Sequence, residues 1–292
     1  MDKKKITIFV FAGVFFILIL LLIINSASLP SENSFEEDST SYRVSNESTF
    51  PNSIDNDNQE EKQVDNSITI YEPAPISVNS EIVIRKSAFV VSYNPETKCP
   101  NWVAWHLTAS HTDGPFPRLN NFFEENVSFP HATLEDYRGS GWSRGHMCPA
   151  GDNKWSEQAM RESFSLLNIC PQNASLNSGL WNSIEIDCRN WANKFGDIYI
   201  VCGPIYLNKE HTVIGENKVL VPEAFFKVVL CLNETPKAFG FIVRNTEGNS
   251  KRDLYYNSID QVERITGYDF FYELPDDVED NVESTASIDD WR

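Results

Sequence analysis

Arg144 and His146 stand two residues apart in the glycine-dense run Tyr137-Arg138-Gly139-Ser140-Gly141-Trp142-Ser143-Arg144-Gly145-His146-Met147-Cys148-Pro149-Ala150-Gly151-Asp152. On an extended strand, positions i and i+2 share a face, which puts the guanidinium and the imidazole on one side. A guanidinium grips phosphate oxygens through paired hydrogen bonds. An imidazole titrating near neutrality takes a proton from water. Glycine lets backbone come close to a ligand. Two parts of a phosphodiester-hydrolysing site are therefore present in sixteen residues.

The third part is a metal that neutralises charge developing on phosphate. The stretch Asn168-Ile169-Cys170-Pro171-Gln172-Asn173-Ala174-Ser175-Leu176-Asn177 leads into a predicted helix carrying Trp181, Glu185 and Arg189. At about 100° per residue, Glu185 and Arg189 fall about 80° and 120° around the axis from Asn177, a broad common face. The Asn177 carbonyl and the Glu185 carboxylate are the hard oxygens that Mg²⁺ prefers.

With these residues in place the chain resembles the DNA/RNA non-specific endonuclease family, the endonuclease G-like ββα-metal nucleases. The family's Asp-Arg-Gly-His hallmark corresponds to Ser143-Arg144-Gly145-His146, and its Asn-rich second motif to Asn168 through Arg189. Further matches follow in order: Tyr93-Asn94 through Trp105, Gly203-Pro204-Ile205-Tyr206, Val221 through Lys227, and Thr266 through Phe271. The likeness covers roughly residues 82–283. It implies an α+β fold in which a β-hairpin supplies the histidine and a crossing helix the metal ligand. It further implies His146 as general base and Asn177 as ligand to Mg²⁺ or Mn²⁺. Glu185 would order a metal-bound water, and Arg144 and Arg189 would contact phosphate. Asn168 would orient the substrate or the histidine, and Arg118 would act as a transition-state cation. DNA and RNA are the implied substrates, cleaved to 5′-phosphates. Ser143 replaces the hallmark aspartate and removes a negative charge beside the site.

Other readings stay open beside this one. The same fold would serve as a binding module without turnover, or as a phosphodiesterase for small molecules. Arg189 would pair with Glu185, its i+4 neighbour, and Asn177 would serve only as a helix cap. A zinc site of His146, Cys148 and Cys170 is a further rival. Histidines 106, 111, 131 and 211 read as surface or structural residues, and Trp142, Trp155, Trp181 and Trp191 as packing.

The elements that must position the site are mixed. Strands are predicted over residues 88–93, 102–107, 198–202, 225–232 and 238–243 from their β-branched and aromatic content. Residues 154–167 have helical content. Residues 180–195 form the clearest helix, with Gly196 as its C-cap glycine. A second helix is predicted over residues 258–266, with Ser258 as N-cap and Gly267 at its end. The order is not strict βαβ alternation, hence α+β.

The flanks differ from the body. Lys3, Lys4 and Lys5 precede an apolar run from Ile6 to Ile24, about 28 Å as a helix and close to a bilayer's hydrocarbon thickness. Residues 1–25 are accordingly expected to be a membrane anchor, with a cleaved signal peptide as the alternative. The folded part would then lie outside the cytoplasm, in the periplasm or at the cell surface, or be secreted after cleavage. Residues 26–81 read as a disordered acidic linker, 82–284 as the endonuclease domain and 285–292 as an acidic tail. The formal net charge of -18 belongs mostly to these flanks. Between Ile82 and Pro275 there are 18 basic and 22 acidic residues, so binding a polyanion needs locally placed arginines and a metal. Six cysteines suit an oxidising compartment and allow 15 pairings. A disulfide between Cys148 and Cys170 would brace the site. Nothing in the sequence fixes an oligomeric state.

Overall fold

The computed structural model describes residues 71–76, 80–233, 235–284 and 286–292. Its strands are β1 (Ile82–Arg85), β2 (Val90–Asn94), β3 (Cys99–Thr108), β4 (Ser143–His146), β5 (Ile169–Gln172), β6 (Asp197–Ile205), β7 (Val213–Ile214), β8 (Val219–Leu220), β9 (Ala224–Cys231), β10 (Lys237–Arg244) and β11 (Tyr256–Asn257). The main helices are α1 (Glu157–Ser163), α2 (Asn182–Phe195), α3 (Ile259–Thr266) and α4 (Asp276–Ser284). Seven strands form one antiparallel sheet in the order β1-β2-β3-β6-β9-β10-β11. Every predicted strand lies in it. The mixed fold with an antiparallel sheet is the one the sequence implied.

Both faces of this sheet are covered, so β9 is buried at every position and reads as a continuous apolar run. Alternation sorts its side chains. Val103, Trp105 and Leu107 of β3 join Phe225 and Val229 of β9 beneath α2. Trp102 and Ala104 join Phe226, Val228 and Leu230 beneath α3. Lys227 shares the first face with Phe225 and Val229, a lysine 1% exposed within a core.

β4 and β5 form a separate antiparallel pair, with Gly145 opposite Cys170 and His146 opposite Ile169. Two four-residue strands are too short to stand alone. Met147, Cys148, Ile169 and Cys170 fix the ribbon by inserting fully into the core beneath α2. Such burial, about 1.5–3 kcal/mol for a large apolar side chain, outweighs the ribbon's few hydrogen bonds at about 1 kcal/mol each.

α3 begins and ends as predicted: Ser258 caps it in a reciprocal box with Gln261, and Gly267 closes it at φ 77°. α2 likewise ends at Gly196, φ 94°. Its start differs. Residues Asn177–Trp181 form a π-turn with Gly179 outside helical geometry at φ -103° and ψ -107°. The wider turn adds a residue, so the regular 100° progression from Asn177 to Glu185 does not hold across it.

Packed residues also lie outside the expected boundaries at 82 and 284. Tyr71 stacks on Tyr199 at 3.5 Å, and the Ala74 N–H donates to the Asp269 carbonyl at 2.8 Å. Trp291, within the expected acidic tail, is 2% exposed against Trp191, Phe195 and Phe239. All six cysteines are buried and none is in a disulfide, which corrects the disulfide expectation. The Cys148 sulfur instead accepts a hydrogen bond from Asn153 at 3.3 Å.

Candidate active site

β4 carries Arg144 and His146 to one side, as its period requires. Both lie against Phe122: the guanidinium is 5.4 Å from that ring's centre and the imidazole 5.1 Å. Phe164 packs edge-on to His146 from the other side at 4.9 Å. The imidazole is 6% exposed, and its Nε2 is enclosed without a hydrogen-bond partner among the described residues. Burial, and secondarily the Arg118 charge, lower its pKa to about 3. The ring is thus neutral across the physiological range, with an unprotonated nitrogen.

Asn168 secures the segment behind that ring. Its Oδ1 accepts from the Cys148 N–H at 2.9 Å, and its Nδ2 donates to the carbonyls of Cys148 at 2.8 Å and Ser163 at 2.9 Å. These bonds occupy a fully buried amide, so it orients the histidine strand rather than a substrate. The glycines have a related use. A Cβ at Gly145 would lie 2.3 Å from the Gln172 amide oxygen, and one at Gly151 2.8 Å from Arg189 Nη1. Both glycines make room for the protein's own side chains.

Arg118 is exposed on the loop before Phe122 and lies 5.2 Å over Phe164. Its charge contributes to lowering the pKa of His146 and offsets part of the rise at Glu185. Glu185 is half-buried on α2. Burial pushes its carboxyl up to about 7, partly offset first by Lys227, then by Arg189 and Arg118. Arg189, four residues on, pairs with Asp152 at 2.9 Å. Asp152 is buried and also accepts from Trp105 Nε1 at 3.1 Å. Arg144 is partly tied down, its Nη2 donating to the Leu134 carbonyl at 3.3 Å. The Ser143 hydroxyl makes no hydrogen bond among the described residues.

Asn177 opens the π-turn, half-buried, and its amide makes no hydrogen bond among the described residues. It does not cap the helix. Asn173 caps the short helical turn Ala174–Leu176 before it, accepting from the N–H groups of Ser175 and Leu176. A free amide oxygen and an unpaired carboxylate suit a hard divalent cation that keeps most of its waters, so the donor set fits. The zinc alternative does not fit, because Cys148 and Cys170 are enclosed and burial raises both thiols well above their usual range. The other histidines take structural places, His106 on Asp197 at 2.8 Å and His211 on Glu223 at 2.9 Å. Asp152, Trp105 and Lys227 were not assigned roles from sequence. Asp152 ends the glycine-rich run, but only the fold brings it to Arg189.

A family model described as DNA/RNA non-specific endonuclease matches residues 66–277. The chain belongs to that family. It is 39% identical over 205 residues to "Nuclease EXOG, mitochondrial" of Xenopus laevis, a match covering 64% of this chain and 57% of that protein. The Homo sapiens protein of that name is 37% identical over 218 residues, covering 68% and 59%. Nuclease C1 of Cunninghamella echinulata var. echinulata is 34% identical over 209 residues, covering 65% of this chain and 83% of its own. The chain thus spans under two thirds of the length of these EXOG relatives. A solved structure titled as the EndoG/EndoGI complex aligns at a TM-score of 0.65 with 27% identity, covering 72% of this chain and 91% of that one.

These relatives correct the expected location. They include mitochondrial nucleases, so an extracytoplasmic, membrane-anchored placement does not stand. Among the described residues no helix is long and apolar enough to cross a membrane. The run from Ile6 to Ile24, on which the anchor rested, lies outside the described residues.

Proposed function

We propose that the chain is a divalent-metal-dependent endonuclease that hydrolyses DNA and RNA without strong sequence preference. The observation that carries this reading is the imidazole of His146 on β4, enclosed between Phe122 and Phe164 with its Nε2 unpartnered among the described residues. His146 takes a proton from water as that water's oxygen attacks phosphorus. The bond from phosphorus to the 3′-oxygen breaks, and that oxygen takes a proton from a solvent water, leaving a 3′-hydroxyl and a 5′-phosphate. Arg118 is the cation nearest solvent and meets the phosphate's added negative charge. Arg189, fixed by Asp152, presents its remaining N–H groups. Asn168 keeps the histidine strand in place. Glu185 accepts hydrogen bonds from a water and orients it. Asn177 would hold the cation, Mg²⁺ or Mn²⁺, which when bound neutralises phosphate charge. Recognition through phosphate and metal leaves base identity unread, in keeping with DNA and RNA both as substrates.

Incubating the full chain with plasmid DNA and with RNA, without metal and with Mg²⁺, Mn²⁺ or Zn²⁺, tests the reading. Cleavage is expected with Mg²⁺ or Mn²⁺, and His146→Ala should lose about 10²–10⁴-fold in kcat, the usual worth of a general base. Equal cleavage by wild type and His146→Ala would end the proposal.

A further inference from the structure

Asn245 lies one residue past the end of β10 and is 4% exposed. Its Nδ2 donates to the Pro222 carbonyl at 2.8 Å and to the Pro171 carbonyl at 3.0 Å, while its Oδ1 accepts from the Asn173 N–H at 2.7 Å. Its own backbone N–H donates to the Glu223 carbonyl at 2.9 Å. Two carbonyls on one side and an N–H on the other leave the amide a single orientation, because the flipped one sets oxygen against oxygen. Removing this side chain strips three backbone groups of a partner. Arg244 pairs with Ala224, the first residue of β9, so Asn245 is fixed to the central sheet.

What it ties to that sheet is the segment between the β4–β5 ribbon and the π-turn. Pro171, register partner of Arg144, brings no N–H to the ribbon, and β5 ends one residue later at Gln172. Asn173 follows. Its side chain caps Ser175 and Leu176, and its carbonyl accepts from the Asn177 N–H at 2.9 Å. An unbroken series of hydrogen bonds therefore runs from the sheet through Asn245 and Asn173 to Asn177. At the far end of the π-turn Trp181 is fully buried in the core, so Asn177 stands on a span pinned at both ends.

We propose that Asn245 is a positioning residue for this hydrolytic site: its amide fixes residues 171–173 to the sheet and so sets where Asn177 presents its side-chain oxygen to a divalent cation. The inference rests on Asn177 being the cation's ligand. Asn245 acts through Asn173 and takes no part in bond making.

Amide hydrogen exchange in the full, metal-free chain reads the tie itself, and Mn²⁺ titration followed by electron paramagnetic resonance reads its consequence. In Asn245→Ala the Asn173 and Asn177 N–H groups should exchange about tenfold faster, the worth of one hydrogen bond, with Val228 and Phe241 in the sheet unchanged. The Kd for Mn²⁺ should rise about tenfold or more, the usual effect of losing a group that orients a ligand. Cleavage at limiting Mg²⁺ should fall by a similar factor and return toward wild type at excess Mg²⁺. Asn101→Ala is the control for loss of a buried amide: Asn101 bonds to Ser80 and Ser92, and its removal should leave the Mn²⁺ Kd unaltered. A folded Asn245→Ala with wild-type Mn²⁺ affinity, or with exchange raised equally across the sheet, overturns the proposal. Should Asn245→Ala not fold, Asn245→Asp, of the same size but without either donor, is read the same way. A wild type that binds no Mn²⁺ removes the reading of Asn177 as ligand, while exchange at residues 173 and 177 still decides whether Asn245 holds the segment.

Discussion

The two faces of the central sheet both gather carboxylates, and they handle them in opposite ways. On the face beneath α2, Asp152 and Glu185 are met by Arg189, Lys227 and Arg118. On the face beneath α3 and α4, Asp260, Glu263 and Glu283 bring carboxylate oxygens within 4.8 Å of one another, as do Asp269, Glu279 and Glu283. Burial, then the neighbouring carboxylates, push Glu283 up to about 8. Both clusters hold raised carboxyls, yet only the first is set among cations. A raised pKa by itself therefore does not locate a site. The sign of the surrounding charge separates the two clusters.

Breaking the compensation on the first face has the largest expected effect. Arg189→Ala leaves the Asp152 carboxylate, side chain 1% exposed, without its partner. Loss of a buried partner costs about 3–5 kcal/mol, and activity should fall with it. Glu263→Gln on the other face removes one of several like charges and should cost nothing. Denaturant unfolding of both variants at pH 7 measures the contrast. Equal losses would mean that the two clusters are not different in kind.

Much of this arrangement was legible in the chain, and the illegible parts share a cause. Strands and the caps of α3 follow from short-range periodicity and turn chemistry, which act within a few residues. His146 and Arg144 were legible for the same reason, lying two apart on one strand. The π-turn was not, because angular bookkeeping assumes a regular helix and Gly179 breaks it. The alternative pairing of Arg189 with its i+4 neighbour Glu185 does not form, because a buried carboxylate 37 residues upstream takes the guanidinium. Lys227 reads as one polar residue in an apolar run until two distant tryptophans close over it. Pairings across sequence depend on the fold, and no local pattern reports them. The cysteines mislead differently: six thiols suggest disulfides, whereas here they pack as small apolar residues.

A smaller effect separates the two titrating groups within the site. Since His146 is lowered to about 3, it stays neutral well below its usual 6.5 and sets no acid limb near neutrality. Glu185, raised to about 7, does. As pH falls through that value the carboxylate is protonated and the rate should decline, with bound cation drawing the limb lower. In Glu185→Gln the remaining activity should be flat over that range. A limb near 6.5 that survives in Glu185→Gln would return it to the imidazole.

The smallest effect concerns the acidic face and appears only as a dependence on pH. Glu283 has a folded pKa of about 8, above the ordinary value of about 4.3 in an unfolded chain. The fold thus favours the neutral carboxyl. Its contribution to stability is complete below about pH 4.3 and is lost progressively as pH rises through about 8. Glutamine copies the neutral acid and cannot ionise. Glu283→Gln should therefore match wild type near pH 4 and melt at a higher temperature at pH 9, the gap opening between. Because Glu283 is only half-buried, solvent screens the repulsion and the gap should be modest. A gap of the same size at both pH values would place its origin in packing. The like-charge crowding that distinguishes this face from the one beneath α2 would then be energetically silent.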